Sequence, residues 1–362
     1  MKKNNKKVLI ITTNWNDYIR TLRCIRSLID IKNISFDILI VDNNSTEKNY
    51  NILKKSINKI KKNFILKEII DLDYRKKLKK DSKKKIFLIK VPINTGCTGG
   101  YNIGYHFGKI SGYDYISRID NDCTVDKDYL KKKVSFLEKN NDYMGINSKV
   151  CYLQKKNYIQ WVGAKFSYKL IFHRSIRIFN KTKFNRQVSA NLEKNWKGLM
   201  HTDTLNGPGS LIRSEVFKKI KYSDIDFFFG PEDIELSHRI KKLGKIVVML
   251  DSKIYHEVAQ SSKLTGQTKR SYYEYKSQIL LIKKIYNKPL FYISLSFFVF
   301  RLFFQSIFSL FDSKGINKNK INMKYHALKD FFYGRLGKKD LIELNNEKNK
   351  QSHIKKYIKI FS

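Results

Sequence analysis

The sequence predicts an α/β protein: a mostly parallel, doubly wound sheet flanked by helices, with a helical extension at the C-terminal end. Three observations predict it. Short apolar runs alternate with segments whose apolar residues recur every three or four positions, so strands and helices take turns along the chain. The runs end in polar residues, at the strand edge where ligands collect in parallel sheets. From about residue 264 the pattern stays helical to the end.

Residues 8–12 are the first apolar run, and Tyr18, Leu22, Ile25 and Ile29 follow at helical spacing. FDILIVDNNS (36–45) reads as a buried strand, with Tyr50, Leu53, Ile57 and Ile60 on the next helical face. IFLIKV (86–91) predicts a third strand and DYISRID (114–120) a fourth. Leu130, Val134 and Leu137 mark a helix before a fifth strand, MGINSKVCY (144–152). Residues 153–200 are aromatic and basic without clear period, which suits an irregular, β-rich insertion or a loop near an acceptor. TLNGPGSLIRSEVFKKI (204–220) predicts a turn, a strand and a short helix. In FFFGPEDIELSHRIKKLG (227–244), Pro231 suits a first helical turn, and Leu236, Ile240 and Leu243 form a buried stripe. KIVVML (245–250) and KIYHEV (253–258) complete the strands.

A chain of 362 residues, 42% apolar, supports a real core. Its formal charge of +41 fits three readings: a nucleic-acid binder, a protein held at an anionic membrane surface, or codon bias, since Lys far outnumbers Arg. Cys24, Cys97, Cys123 and Cys151 are widely spaced with no C-x-x-C pair, so they read as reduced thiols. The N-terminal apolar run ends after Ile11, too short for a signal-peptide core, and a cytosolic catalytic part is expected.

Four features carry possible chemistry. VPINTGCTGGYNIG (91–104) sets four glycines between a strand and a helix, with the spacing of neither a P-loop nor a dinucleotide fingerprint. Asp120 and Asp122 end a strand; in extended backbone both carboxylates share one side, which suits a hard divalent cation, whereas D-N-D is equally ordinary turn chemistry. Glu232 and Asp233 sit where a helix start favours negative charge, and an acid delivered to a pocket there would serve as a general base. His256 is either a packed surface histidine or the group that completes a site begun by the aspartates.

Taken in order, VLIITTNWN, ILIVDNNSTE, VPINTGCTGGYNIG, RIDND, NGPGSLIRSEVF, FFFGPEDIELSHRIKKLG and YHE resemble the motifs of family 2 glycosyltransferases with a GT-A fold, over about residues 7–260. The glycine segment and the tail ALKDFFYGRLGK are similar to those of the rhamnosyl- and galactofuranosyltransferase branch. The resemblance implies a GT-A catalytic domain over 1–262, with a nucleotide-sugar half to about 125 and an acceptor half beyond it, then a basic helical region over 263–362. It implies that Thr12, Asn14 and Asp42 hold the nucleoside of a UDP- or dTDP-sugar, and that Asn94, Gly96, Gly99, Gly100 and Asn102 lie against the nucleotide and donor sugar. Asp120 and Asp122 match the D-x-D pair that holds Mg²⁺ or Mn²⁺, with His256 at a third metal position. Asp233 matches the base, and Glu232 serves the acceptor or the helix terminus. Cys97 and Thr98 depart from the smaller residues common in the glycine segment.

The activity so implied is an inverting, metal-dependent transfer of a sugar (rhamnose, galactofuranose or similar) to a growing surface glycan, lipid-linked, in a low-GC bacterium. A nucleotidyltransferase is the rival enzyme, but it calls for a basic, glycine-rich loop after the first strand, and TTNWN is neither. A nucleic-acid binder calls for a concentrated basic patch, whereas Lys is spread along the whole chain, so no nucleic-acid partner is expected. Finally, residues 290–311 contain sixteen apolar residues among twenty-two, with Arg301 near the middle and lysines on both flanks. The expectation is an aromatic helix lying on the anionic cytoplasmic face of the cell membrane; a single span and a helix packed on the catalytic domain are the alternatives.

Overall fold

The computed structural model describes residues 6–61, 63–69, 83–165, 176–177, 197–257, 267–309 and 316–337. Its centre is a parallel sheet built from β1 (Val8–Asn14), β2 (Asp37–Asp42), β3 (Ile65–Ile69), β4 (Lys85–Lys90) and β5 (Tyr115–Arg118), in the order β5-β1-β2-β4-β3. The order reverses at β1, which pairs with β2 on one side and β5 on the other, so the ligand crevice of such a sheet falls at the carboxyl end of β1.

Beyond β5 the sheet becomes mixed. β12 (Ser210–Arg213) runs antiparallel between β5 and β7 (Tyr143–Tyr152), and β13 (Lys245–His256) lies parallel to β7. The two separate strands predicted over 245–258 are thus one, with a register shift between Met249 and Lys253. Short strands β6 (Cys123–Val125), β8 (Ile159–Trp161) and β11 (Leu199–His201) pair on β13, β7 and β13 respectively, and β9 (Ala164–Lys165) pairs with β10 (Ile176–Arg177). The rest of the expected irregular insertion lies outside the described residues.

Alternation along β1 explains the layers. Val8 and Ile10 face α1 (Tyr18–Ile29), α2 (Glu47–Ile60) and α4 (Lys131–Lys139), while Leu9 and Ile11 face α3 (Gly96–Ile110), α5 (Val216–Lys219) and α6 (Glu232–Lys241). Asp17 and Thr46 cap α1 and α2 by accepting from the Arg20 and Asn49 amides at 3.4 Å.

The C-terminal helices are α7 (Gln267–Ile285), α8 (Lys288–Ser309) and α9 (Ile316–Phe332). Their shared core includes Phe227, so they rest on the segment that leads into α6. Ser277 donates to the Phe229 carbonyl at 3.2 Å, and the Tyr273 ring lies 4.7 Å from that of Phe228. The helical expectation past residue 337 lies outside the described residues.

Candidate active site

The nucleoside-binding expectations fall at the end of β1 and β2. The Asn14 amide donates to Asp42 Oδ2 at 2.6 Å and Ser45 Oγ at 3.1 Å, and accepts from the Thr21 hydroxyl at 2.8 Å. Asp42 Oδ1 accepts from the Ser45 amide at 3.0 Å. Thr12, Asn14 and Asp42 have no exposed surface. Asn14 and Asp42 hold Ser45, whose hydroxyl also accepts from the Asn16 amide at 2.8 Å, and so tie together the loops at 15–17 and 44–46, where Asn16 and Asn44 adopt φ of 52° and 64°.

The glycine segment is not a loop before a helix; α3 begins at Gly96 itself. Gly96 has φ of +74°, and a Cβ there would lie 2.3 Å from the Phe228 carbonyl oxygen, so a glycine is required where the Cys97 amide donates to that carbonyl at 3.1 Å. Farther along, Gly100 and Gly104 let α3 lie against Thr13 and Ile11 of β1. These glycines therefore bring protein to protein, seating α3 on β1 and on the Phe228 segment. Asn94 Oδ1 accepts from the Gly96 amide at 2.9 Å and from Asn43 at 3.2 Å, which holds the start of α3 at the strand ends. Asn102 is buried and donates to the Ser223 carbonyl at 2.7 Å, so it ties α3 to the segment before α6 and does not line the crevice.

The extended backbone assumed for R-I-D-N-D does not persist. β5 ends at Arg118, and the Cys123 amide donates to the Asp120 carbonyl at 3.0 Å, closing a turn. That turn sends the two carboxylates to different neighbours. Asp120 Oδ1 accepts from the Tyr101 hydroxyl at 2.6 Å and from Arg118 Nε at 3.3 Å. Asp122 Oδ1 lies 3.3 Å from His256 Nε2, and these two with Cys123 form the one group of candidate metal ligands among the described residues. Burial pushes the Cys123 thiol well up, and hard cations such as Mn²⁺ and Mg²⁺ favour the Asp122 oxygen and the His256 nitrogen over sulfur. Carboxylate and imidazole together fit Mn²⁺, and the Asp122 carboxylate is also a donor of the kind that Mg²⁺ takes. Burial lowers the His256 pKa, but the Asp122 hydrogen bond and the nearby carboxylates outweigh it and the net shift is upward.

At the other side of the crevice, α6 starts with Glu232 and Asp233. Asp233 Oδ2 accepts from the Gly207 amide at 3.0 Å, and Oδ1 from the Ile234 amide at 2.9 Å. Burial, and then the neighbouring Glu232 charge, push its pKa up to about 6. Glu232 Oε1 instead accepts from Arg118 Nη1 at 3.0 Å, with both side chains almost fully buried. The Arg118 guanidinium also lies 3.8 Å from the Tyr101 ring centre. Arg118 thus touches both the D-N-D turn and the E-D pair, and it draws the two constellations into one site.

Comparison with known proteins decides the family. The model of Glycosyl transferase family 2 matches residues 8–193, more than half of the chain. The chain belongs to that family. The match stops before Asp233 and His256, whose placement rests on the structure alone. The crystal structure of GalNAc-T7 with UDP, GalNAc and Mn²⁺ is similar to this glycosyltransferase with a TM-score of 0.56 at 13% identity, covering 78% of this chain and 48% of that one. S. aureus TarS (residues 1–349) aligns at 14% identity and a TM-score of 0.49, covering 90% of this chain and 80% of that one. No curated protein matches the sequence. The mostly parallel sheet flanked by helices, followed by the C-terminal helices, is a GT-A-like fold.

Sequence reasoning passed over Arg118, Tyr101 and Gln160 of this glycosyltransferase. Arg118 stands inside an apolar strand, and Tyr101 inside the glycine run, where neither shows a pattern of its own. Gln160 Oε1 lies 3.0 Å from His256 Nδ1; when it accepts from Nδ1–H, it leaves Nε2 facing Asp122 with a lone pair for a cation.

Proposed function

We propose that this family 2 glycosyltransferase is a metal-dependent, inverting enzyme. It moves rhamnose, galactofuranose or a similar sugar from a UDP- or dTDP-sugar to a growing, lipid-linked surface glycan. The observation that carries the reading is Arg118, whose two ion pairs join the Asp120 turn to the α6 acids. A donor diphosphate and an acceptor hydroxyl bound at those two places would be neighbours. The fold likeness to a protein crystallised with UDP and Mn²⁺ supports the donor class.

In this account Asp122 and His256 would hold Mg²⁺ or Mn²⁺, with Asp120 turned to Tyr101 and Arg118 in place of the expected ligand role, and the cation would neutralise charge developing on the diphosphate as the glycosidic bond breaks. Asp233 accepts the proton of the acceptor hydroxyl. That oxygen bonds to the anomeric carbon from the face opposite the departing nucleoside diphosphate, so one displacement inverts the configuration. No nucleophilic side chain is needed. Arg118 pairs with Glu232, which leaves Asp233 as the acid of the pair that takes the proton. Asn14 and Asp42, through the loops they hold, and Asn94 with Gly96, Gly99 and Gly100 beneath, shape the nucleotide side of the crevice.

The test is a screen of nucleotide-sugars for thermal stabilisation with Mn²⁺ or Mg²⁺ present, followed by mass spectrometry for released UDP or dTDP. One donor class is expected to raise the melting temperature and to be consumed. No stabilisation by any UDP- or dTDP-sugar at millimolar concentration would count against the reading.

A further inference from the structure

α8 is apolar on two opposite faces. Phe291, Leu295, Phe298 and Leu302, at helical spacing, are buried among α7 and α9. On the outer side Tyr292, Phe300, Phe303 and Phe308 are 62%, 60%, 57% and 71% exposed, and Phe332 at the end of α9 is 63% exposed. Phe300, Phe303 and Phe332 border a shallow groove of about 520 Å³. An exposed aromatic face of this extent marks a binding surface.

Beside it stands a cluster of like charge. Arg301 of α8 and Lys320 and Lys324 of α9 lie close enough that, after burial, the charges of Arg301 and Lys320 lower the Lys324 pKa. Lys324 donates to Gln305 at 2.7 Å, and among the described residues no carboxylate pairs with any of the three. Cations left without acids, next to exposed aromatic rings, are complementary to a surface that is anionic above and apolar below.

We propose that the outer face of α8 and the end of α9 dock on an anionic lipid bilayer, with α8 lying along the headgroup layer. Phe300, Phe303, Phe304, Ile307 and Phe308 enter the acyl boundary while Arg301, Lys320 and Lys324 meet lipid phosphates. α8 is long and apolar enough to span, but spanning would strip Phe291, Leu295, Phe298 and Leu302 from their protein partners and carry Arg301 into hydrocarbon. Phe298 faces inward, so outward Phe300 is the informative residue to change. α7 joins this surface to the site, because Tyr273 and Ser277 hold the Phe228–Phe229 segment against Gly96. The purpose of docking, delivery of a lipid-linked acceptor, rests on the function proposed above; the docking itself is measured without donor or acceptor.

The full chain is floated with phosphatidylcholine vesicles with and without phosphatidylglycerol. Wild type is expected to float with the anionic vesicles, less so at high salt, and to be released by alkaline carbonate. Replacing Phe300, Phe303 and Phe308 by serine is expected to abolish flotation, with the melting temperature little changed because more than half of each side chain is exposed. Changing Arg301, Lys320 and Lys324 to glutamine is expected to weaken anionic-vesicle binding on the order of a hundredfold, at roughly fivefold for each cation. Three results would overturn the proposal: both variants floating like wild type, carbonate-resistant insertion, or a wild-type dimer that the serine changes dissolve without altering flotation.

Discussion

Asp233→Asn is expected to lower turnover by about 10²–10⁴-fold while donor affinity stays unchanged, because the substitution keeps shape and removes only the basic oxygen. The side chain sits at the first turn of α6, held by the Gly207 and Ile234 amides, and an asparagine oxygen can still accept one of those bonds. Its pKa of about 6 also sets a pH limb. A base must be unprotonated, so wild-type turnover is expected to rise through about pH 6 and then level off. The upward shift means that the folded state holds this proton more tightly than the unfolded chain does. Stability from that source is therefore present at low pH and lost as pH rises through about 6. Asp233→Asn, neutral at every pH, should accordingly melt no lower than wild type at pH 7. Rate profiles and melting curves across pH check both statements. A dead Glu232→Gln beside an active Asp233→Asn would move the base by one residue.

Arg118→Met is expected to destabilise the fold by about 3–5 kcal/mol, the usual consequence of leaving one partner of a buried ion pair alone. Its guanidinium and the Glu232 carboxylate are both almost fully out of water, with Asp120 3.3 Å from Nε. A Cβ at Gly207 would lie 2.6 Å from Arg118 Nη2, so the site is shaped around this one side chain. The double change Arg118→Met with Glu232→Gln should recover a large part of the loss, since the orphaned charge is then gone. Urea unfolding of the two singles and the double measures the coupling. Additive losses would mean that the ion pair carries no special weight.

What was legible in the sequence follows from how strongly each element repeats one pattern. Residues 8–11 of β1 and 38–41 of β2 are unbroken apolar runs because both of their faces are covered, and most positions of α8 are apolar. β3 was missed because it is an edge strand with Lys67 and Glu68 in five residues, charged where edges are protected. The candidate acids stand out because paired carboxylates at a strand end and a helix start are visible in one dimension. Their partners were not. Arg118 reaches Glu232 across 114 residues and Gln160 reaches His256 across 96, and no local spacing encodes such contacts. The glycines were seen but assigned to a ligand, because sequence alone does not distinguish a backbone that approaches a phosphate from one that approaches Phe228 or Ile11.

The most direct test of the account is a calorimetric titration of UDP and dTDP into the purified protein with Mn²⁺ present. It is repeated in chelator, and with Asp122→Asn and His256→Ala. The account predicts tight binding of at least one nucleotide with metal, and its loss in chelator and in both variants, because Asp122 Oδ1 and His256 Nε2 converge at 3.3 Å where a diphosphate-bound cation would sit. Undiminished affinity in chelator, with both variants binding like wild type, would contradict it and leave the D-N-D segment as a structural turn.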